Sequence, residues 1–132
     1  ELTRMILKFN KNKNPQSVVF IASVVASVGS KGKSMYAMSK GALVAGMKSL
    51  AIELANKNIR VNTISPGVVN TPLTQNSEYR KNDVAMNEVL KQHPLGLGEP
   101  IDVANAALFL LSEQSRWVTG IDLKIDGGYT SK

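Results

Sequence analysis

Val18-Val19-Phe20-Ile21-Ala22 is an unbroken apolar run, rich in β-formers. Apolar side chains on successive residues predict a strand buried on both faces, as in a parallel sheet covered by helices. Ser23 closes the run, and the Gly/Ser/Lys stretch Ser27–Ser34 follows as a loop. Beyond it Leu43, Met47, Leu50 and Leu54 recur at helical spacing and predict a long helix over Met35–Asn56. Gly41 and Gly46 lie inside it, each costing about 1 kcal/mol relative to alanine. That cost predicts close contact at these glycines, with the sheet or with another subunit.

Ile59–Ile64 reads as a second strand, closed by the turn signal Pro66-Gly67. Val68–His93 is mixed, with a helix expected over Asp83–Lys91. So long a polar excursion after a strand reads as a substrate lid, set at residues 71–93. Glu99-Pro100 starts another helix, with proline in its first turn. Ile121–Ile125 is a last strand, ended by Asp126-Gly127-Gly128. At the other end Leu2, Met5, Ile6 and Phe9 predict an opening helix without a cap, followed by a polar turn over Asn10–Gln16. Helix, strand, helix, strand, lid, helix, strand is the rhythm of an α/β domain with a doubly wound parallel sheet. An unmatched leading helix and three strands predict the C-terminal part of a larger domain, so residues 1–132 are read as a partial one.

The chain has 132 residues, 43% apolar and 20% charged, with no cysteine and one histidine. That composition is globular, and it excludes disulfides, thiolate catalysis and a multi-histidine metal site within these residues. No apolar run reaches the roughly 20 residues of a membrane helix, and no signal-peptide pattern opens the chain. A cytoplasmic protein without a membrane partner is expected. Residues 1–40 carry seven basic residues against one acidic, and the remainder nine of each. A basic first third suits either an anionic partner or a solvated face. No nucleic-acid motif and no regular interleaving of aromatics accompanies it, so no nucleic-acid partner is expected.

Tyr36 and Lys40 are four apart near the start of the long helix, which puts both on one face. An ammonium beside a phenol favours the phenolate, and a helix N-terminus adds an effect of the same sign. The pair suits proton exchange. Ser23 ends the preceding strand, and in a parallel sheet that end shares an edge with the next helix's N-terminus. There its hydroxyl could meet an oxygen on which charge develops. Singly, each feature is ordinary: a surface Tyr–Lys contact, a serine in a turn, a Pro-Gly turn. Their convergence on one predicted edge gives the set its meaning.

Ser23, Tyr36-Ala37-Met38-Ser39-Lys40 and Asn62-Thr63-Ile64-Ser65-Pro66-Gly67-Val68-Val69-Asn70-Thr71 together resemble the short-chain dehydrogenase/reductase family. Pro94-Leu95-Gly96-Leu97-Gly98-Glu99-Pro100, Asp102-Val103-Ala104, Thr119-Gly120 and Asp126-Gly127-Gly128 fit the same pattern, so the resemblance spans essentially the whole chain. It implies a Rossmann-type fold and hydride exchange between NAD or NADP and a small carbonyl or alcohol substrate. Tyr36 is implied as catalytic acid/base. Lys40 is implied as its partner and holder of the nicotinamide ribose, and Ser23 as the group that steadies the substrate oxygen. Pro66, Gly67, the Val69 backbone and Thr71 are implied as contacts to the cofactor's nicotinamide end. The nearest flavour is that of 3-oxoacyl-carrier-protein reductases, and a homo-oligomer, commonly a tetramer, is implied.

Departures from the pattern are as informative. The family's glycine-rich turn after its first strand is absent from these residues, as are its Asn-Asn-Ala-Gly stretch, its catalytic asparagine and the residue that chooses NAD or NADP. Leu97 stands where arginine is frequent and Ile101 where glutamate is frequent. The 132 residues alone are therefore expected to be inactive and prone to aggregation, with an unpaired strand edge. The rival reading is a non-catalytic oligomerisation or interaction module whose active-site residues are bystanders.

Overall fold

The computed structural model describes Lys8 and residues 15–131. Lys8 is helical; the rest of the expected opening helix lies outside the described residues. Three strands, β1 (Gln16–Ile21), β2 (Ile59–Pro66) and β3 (Asp122–Ile125), form one sheet in the order β1-β2-β3. Both pairings are parallel, with Val18 opposite Val61 and Thr63 opposite Asp122. A helix, α1 (Ser34–Ala55), joins β1 to β2. Two short helices, α2 (Pro72–Gln75) and α3 (Asp83–Gln92), and then α4 (Pro100–Leu111) lie between β2 and β3. This is the α/β architecture expected, a partial Rossmann-type sheet flanked by helices.

The apolar stripe of α1 covers one face of the sheet. Met47, Ala51 and Leu54 pack on Ile59 and Val61, with Val18, Phe20 and Leu50 at the margin. Burial of each large side chain stabilises the fold by roughly 1.5–3 kcal/mol. Asn58 ends the α1–β2 turn at a φ of 57°, a left-handed conformation that asparagine tolerates. A Cβ placed at Gly41 or Gly46 would meet nothing. Neither glycine therefore packs tightly on the sheet, and the close contact expected there is not made among the described residues.

The other face is covered by α4, where Leu110 is fully buried. Pro100 occupies the first turn of that helix, and Glu99 and Asp102 form a capping box. Its C-terminal carbonyls are taken up by the sheet. Ser17 Oγ donates to Leu110 O at 2.7 Å, and the Arg60 guanidinium donates to Leu110 O, Ser112 O and Val118 O. This arrangement satisfies helix-end groups that otherwise lack partners.

The second strand extends to Pro66, two residues beyond its apolar core, and its Asn62, Thr63 and Ser65 side chains are buried. Asn62 donates to Val118 O and accepts from Ile121 N–H. Thr63 and Ser65 donate to the Asp122 carboxylate at 2.7 and 2.6 Å. Buried polar groups are tolerated when paired in this way.

Candidate active site

All strands being parallel, their C-terminal ends meet at one edge, where the residues after Ile21, Pro66 and Ile125 emerge. Ser23 N-caps a 3-10 turn, Val24–Ala26, that packs against α1. Its Oγ accepts from Val25 N–H at 3.5 Å. A hydroxyl also carries one donor, which this bond does not use.

Tyr36 and Lys40 lie in the first two turns of α1, with Lys40 Nζ 5.7 Å from the Tyr36 ring centroid. The ammonium is within cation–π range of the ring. Lys40 Nζ also donates to Ile21 O at 3.0 Å, two residues before Ser23. One side chain therefore ties the helix that carries Tyr36 to the strand end that carries Ser23. Tyr36 is 47% exposed, open to a ligand at this edge.

The loop after β2 is the third part. Gly67 N–H donates to Ile125 O at 3.0 Å. A Cβ on Gly67 would lie 3.0 Å from Asp126 Cα and 3.2 Å from His93 Nε2, so only glycine fits without a shift. Val69 forms a parallel bridge with Gly98 through its neighbours, Gly98 N–H to Val68 O at 3.0 Å and Asn70 N–H to Gly98 O at 2.8 Å. The Val69 N–H stays outside that bridge. Thr71 is engaged in a capping box: its Oγ1 accepts from Thr74 N–H, and Thr71 N–H donates to Thr74 Oγ1. Asn70 links this loop to the segment after it and to the start of α4, donating to Glu99 Oε1 at 2.5 Å and accepting from the Arg80 guanidinium.

Two groups that the sequence reading left without a role border the same loop. His93 is buried beneath it, against Tyr129. Its signal was a single histidine between a helix end and Pro94. Asp126 follows β3. Burial acts to raise its pKa, but hydrogen bonds from Thr130 Oγ1 and from the Thr130 and Gly128 N–H groups, with the Lys124 charge, outweigh it. The carboxyl is held below its ordinary value. A cleft of about 470 Å³ beside the loop is lined by Val68, Gly98, Asp102, Lys124 and Asp126. The larger cavity, about 500 Å³, lies at the opposite end of the strands around Gln16, Arg60 and Trp117, away from Tyr36 and Lys40.

These residues suit a nicotinamide cofactor. An exposed phenol beside an ammonium, a glycine forced by its neighbours and a loop N–H outside its local bridge are a suitable donor set for a flat amide and a ribose diol. Among the described residues no cluster of His, Asp and Glu could hold a metal ion, and no helix is long and apolar enough to cross a membrane.

Comparison with known proteins agrees with this geometry. The family profile described as Enoyl-(Acyl carrier protein) reductase matches residues 1–130. The 2,5-dichloro-2,5-cyclohexadiene-1,4-diol dehydrogenase LinX of Sphingobium indicum is 40% identical over 119 residues, covering 86% of this chain and 44% of that protein. The 3-oxoacyl-[acyl-carrier-protein] reductase FabG of Thermotoga maritima is 38% identical over 128 residues, 96% of this chain and 50% of its own length. Among solved structures, 4-hydroxyisoleucine dehydrogenase complexed with NADH superposes with a TM-score of 0.91 at 35% identity, over 99% of this chain and 54% of that one. A short chain dehydrogenase family protein from Francisella tularensis gives a TM-score of 0.85 at 36% identity, over 98% and 58%. The chain spans about half the length of the curated relatives it matches. With the family profile covering nearly every residue, and the Ser23, Tyr36 and Lys40 elements meeting at one sheet edge, the chain belongs to the short-chain dehydrogenase/reductase family.

Proposed function

We propose that the full-length protein containing this chain is an oxidoreductase that uses NAD or NADP to interconvert a small carbonyl compound and its secondary alcohol. The observation that carries the reading is the Lys40 bond to Ile21 O, which sets Tyr36, Lys40 and the Ser23 turn at one edge. The bound nicotinamide would supply or accept the hydride. The chain's own residues do the rest. Tyr36 Oη gives a proton to the carbonyl oxygen in reduction and takes it back in oxidation. Lys40, whose ammonium stands 5.7 Å from the Tyr36 ring centroid, would hold the ribose hydroxyls. Ser23 donates to the substrate oxygen as negative charge grows on it.

Pro66, Gly67, the Val69 N–H and Thr71 receive the nicotinamide end. The Thr71 hydroxyl is shared with its helix cap, so its part at the cofactor is secondary to that of Val69. Residues 71–93 act as the substrate lid over a Rossmann-type domain of which this chain is the C-terminal part. A 3-oxoacyl thioester is the substrate class favoured by the likeness to 3-oxoacyl-[acyl-carrier-protein] reductases. Exposed apolar residues on α1 and α4, such as Ile52 at 80% and Leu108 at 68%, favour a homo-oligomer, proposed as a tetramer on the family resemblance, that covers them.

The test is NADH and NADPH oxidation by the full-length protein over a panel of ketones, including 3-oxoacyl thioesters. Tyr36→Phe should lower kcat by about 10²–10⁴-fold while leaving cofactor affinity within a few-fold. Turnover unchanged in that variant would overturn the assignment. A protein that binds neither nicotinamide and is a stable oligomer would instead support the interaction-module reading.

A further inference from the structure

We propose that His93 is a positioning residue, whose imidazole aims the Val69 N–H at the nicotinamide amide. The inference rests on the reading of that loop given above.

His93 is only 3% exposed and ends α3. Its two ring nitrogens meet backbone groups of fixed polarity. Nδ1 lies 2.8 Å from Val89 O, and a carbonyl can only accept. Nε2 lies 3.3 Å from Val68 N, and an amide N–H can only donate. The partners therefore dictate one tautomer, with the proton on Nδ1 and the lone pair on Nε2. The far side of the ring is closed by Tyr129, with centroids 4.8 Å apart, and the near side by Gly67.

This arrangement fixes two successive peptide planes. The Gly67–Val68 plane is pinned by Nε2 through the Val68 N–H. The Val68–Val69 plane is pinned by Gly98, whose N–H meets Val68 O at 3.0 Å. In a trans peptide the carbonyl and the next N–H point in opposite directions, and no peptide here is cis. With Val68 O held toward Gly98, the Val69 N–H faces away from it. Without the bond to Nε2, the first plane loses this anchor, and the second is held by the Gly98 bond alone with a looser plane before it. The imidazole thus acts on the cofactor through Val69, without touching it.

Two substitutions separate the acceptor from mere bulk. His93→Asn keeps a side-chain donor where Nδ1 stood but has no acceptor at the Nε2 position. His93→Gln can place an amide oxygen near Nε2 and accept from Val68 N–H. Both lose the ring and its contact with Tyr129. In the full-length protein, fluorescence titration with NADH and NADPH should show the preferred cofactor bound about tenfold more weakly by His93→Asn, a change of about 1.4 kcal/mol. His93→Gln should recover most of that loss, although both variants melt at similar temperatures. Equal affinities in all three proteins, or affinity losses that follow the melting temperatures, would overturn the proposal. Nitrogen NMR of histidine-labelled protein gives a readout independent of cofactor: the Nδ1–H tautomer is expected, and the Nε2–H tautomer refutes it. Wild-type protein that binds neither nucleotide removes the proposed function and this inference with it. Wild-type binding with an unaffected His93→Asn removes this inference alone.

Discussion

Asp126 shows how one carboxylate organises the strand ends. It takes three hydrogen bonds from Gly128 and Thr130, and so closes the turn behind the Gly67 loop. Because its folded pKa lies below the ordinary 3.8, ionisation favours the folded state. That contribution is complete above about 3.8. It is lost as pH falls from there through the lower folded value, because the unfolded chain takes up the proton first. Asp126→Asn should therefore flatten the acid limb of a stability-against-pH curve. At neutral pH the variant should be less stable by about 1–2 kcal/mol, since an amide keeps only one acceptor oxygen. Denaturant melts of both proteins between pH 3 and 7 check this, and superimposable curves would contradict it.

At the scale of elements, the segment between β2 and α4 is held by caps rather than by a core. No residue of α2 or α3 is fully buried. The third helix starts where Asn82 Oδ1 accepts from Val84 and Ala85 N–H. Asn82→Ala should cost about 1 kcal/mol. The loss should show as faster amide exchange confined to the start of the Asp83–Gln92 helix, with β2 unaffected, because the helix's other tie, His93, lies at its far end. Global loss of protection would mean that the helix is part of the cooperative core. The same weakness explains what could be read from sequence. The apolar periodicity of Leu43, Met47, Leu50 and Leu54 placed α1 within a residue at each end, and the run at Val18–Ala22 located β1. The short helix at Pro72–Gln75 and the 3-10 turn at Glu78–Lys81 carry no apolar period and went unforeseen. Thr71 was read for its hydroxyl, although the threonine three residues on engages it as a cap. Ser65 and Pro66 fell outside the expected strand, because their partners Asp122 and Ile125 lie about 60 residues away and no local pattern announces them. His93 entered only as a lone histidine that could not build a multi-histidine metal site; its contact with Val68 needed the fold to bring the two together.

For the whole molecule, β1 lies at one end of the sheet order, and among the described residues it pairs only with β2. Its six residues are half-buried or exposed, although the run is apolar. Such an edge is a template for another chain. The 132 residues expressed alone should self-associate. Light scattering at rising concentration should show oligomers or precipitation, and a stable monomer with a cooperative melt would contradict this. Activity should require the full-length protein, since the phosphate-binding glycines are not in this sequence.

The polar interior of β2 sets a timetable for synthesis. Among the described residues, Arg60, Asn62, Thr63 and Ser65 find their side-chain partners within residues 110–122. On a ribosome, that strand emerges some fifty residues before the groups that neutralise it. Until they arrive, docking α4's side of the sheet would leave the buried Asn62, Thr63 and Ser65 side chains unmet, at about 1–3 kcal/mol for each. The nascent chain is thus biased to keep β2 hydrated and waiting. A chain cut short before Ser112–Asp122 should therefore leave the polar side chains of its middle strand unmet.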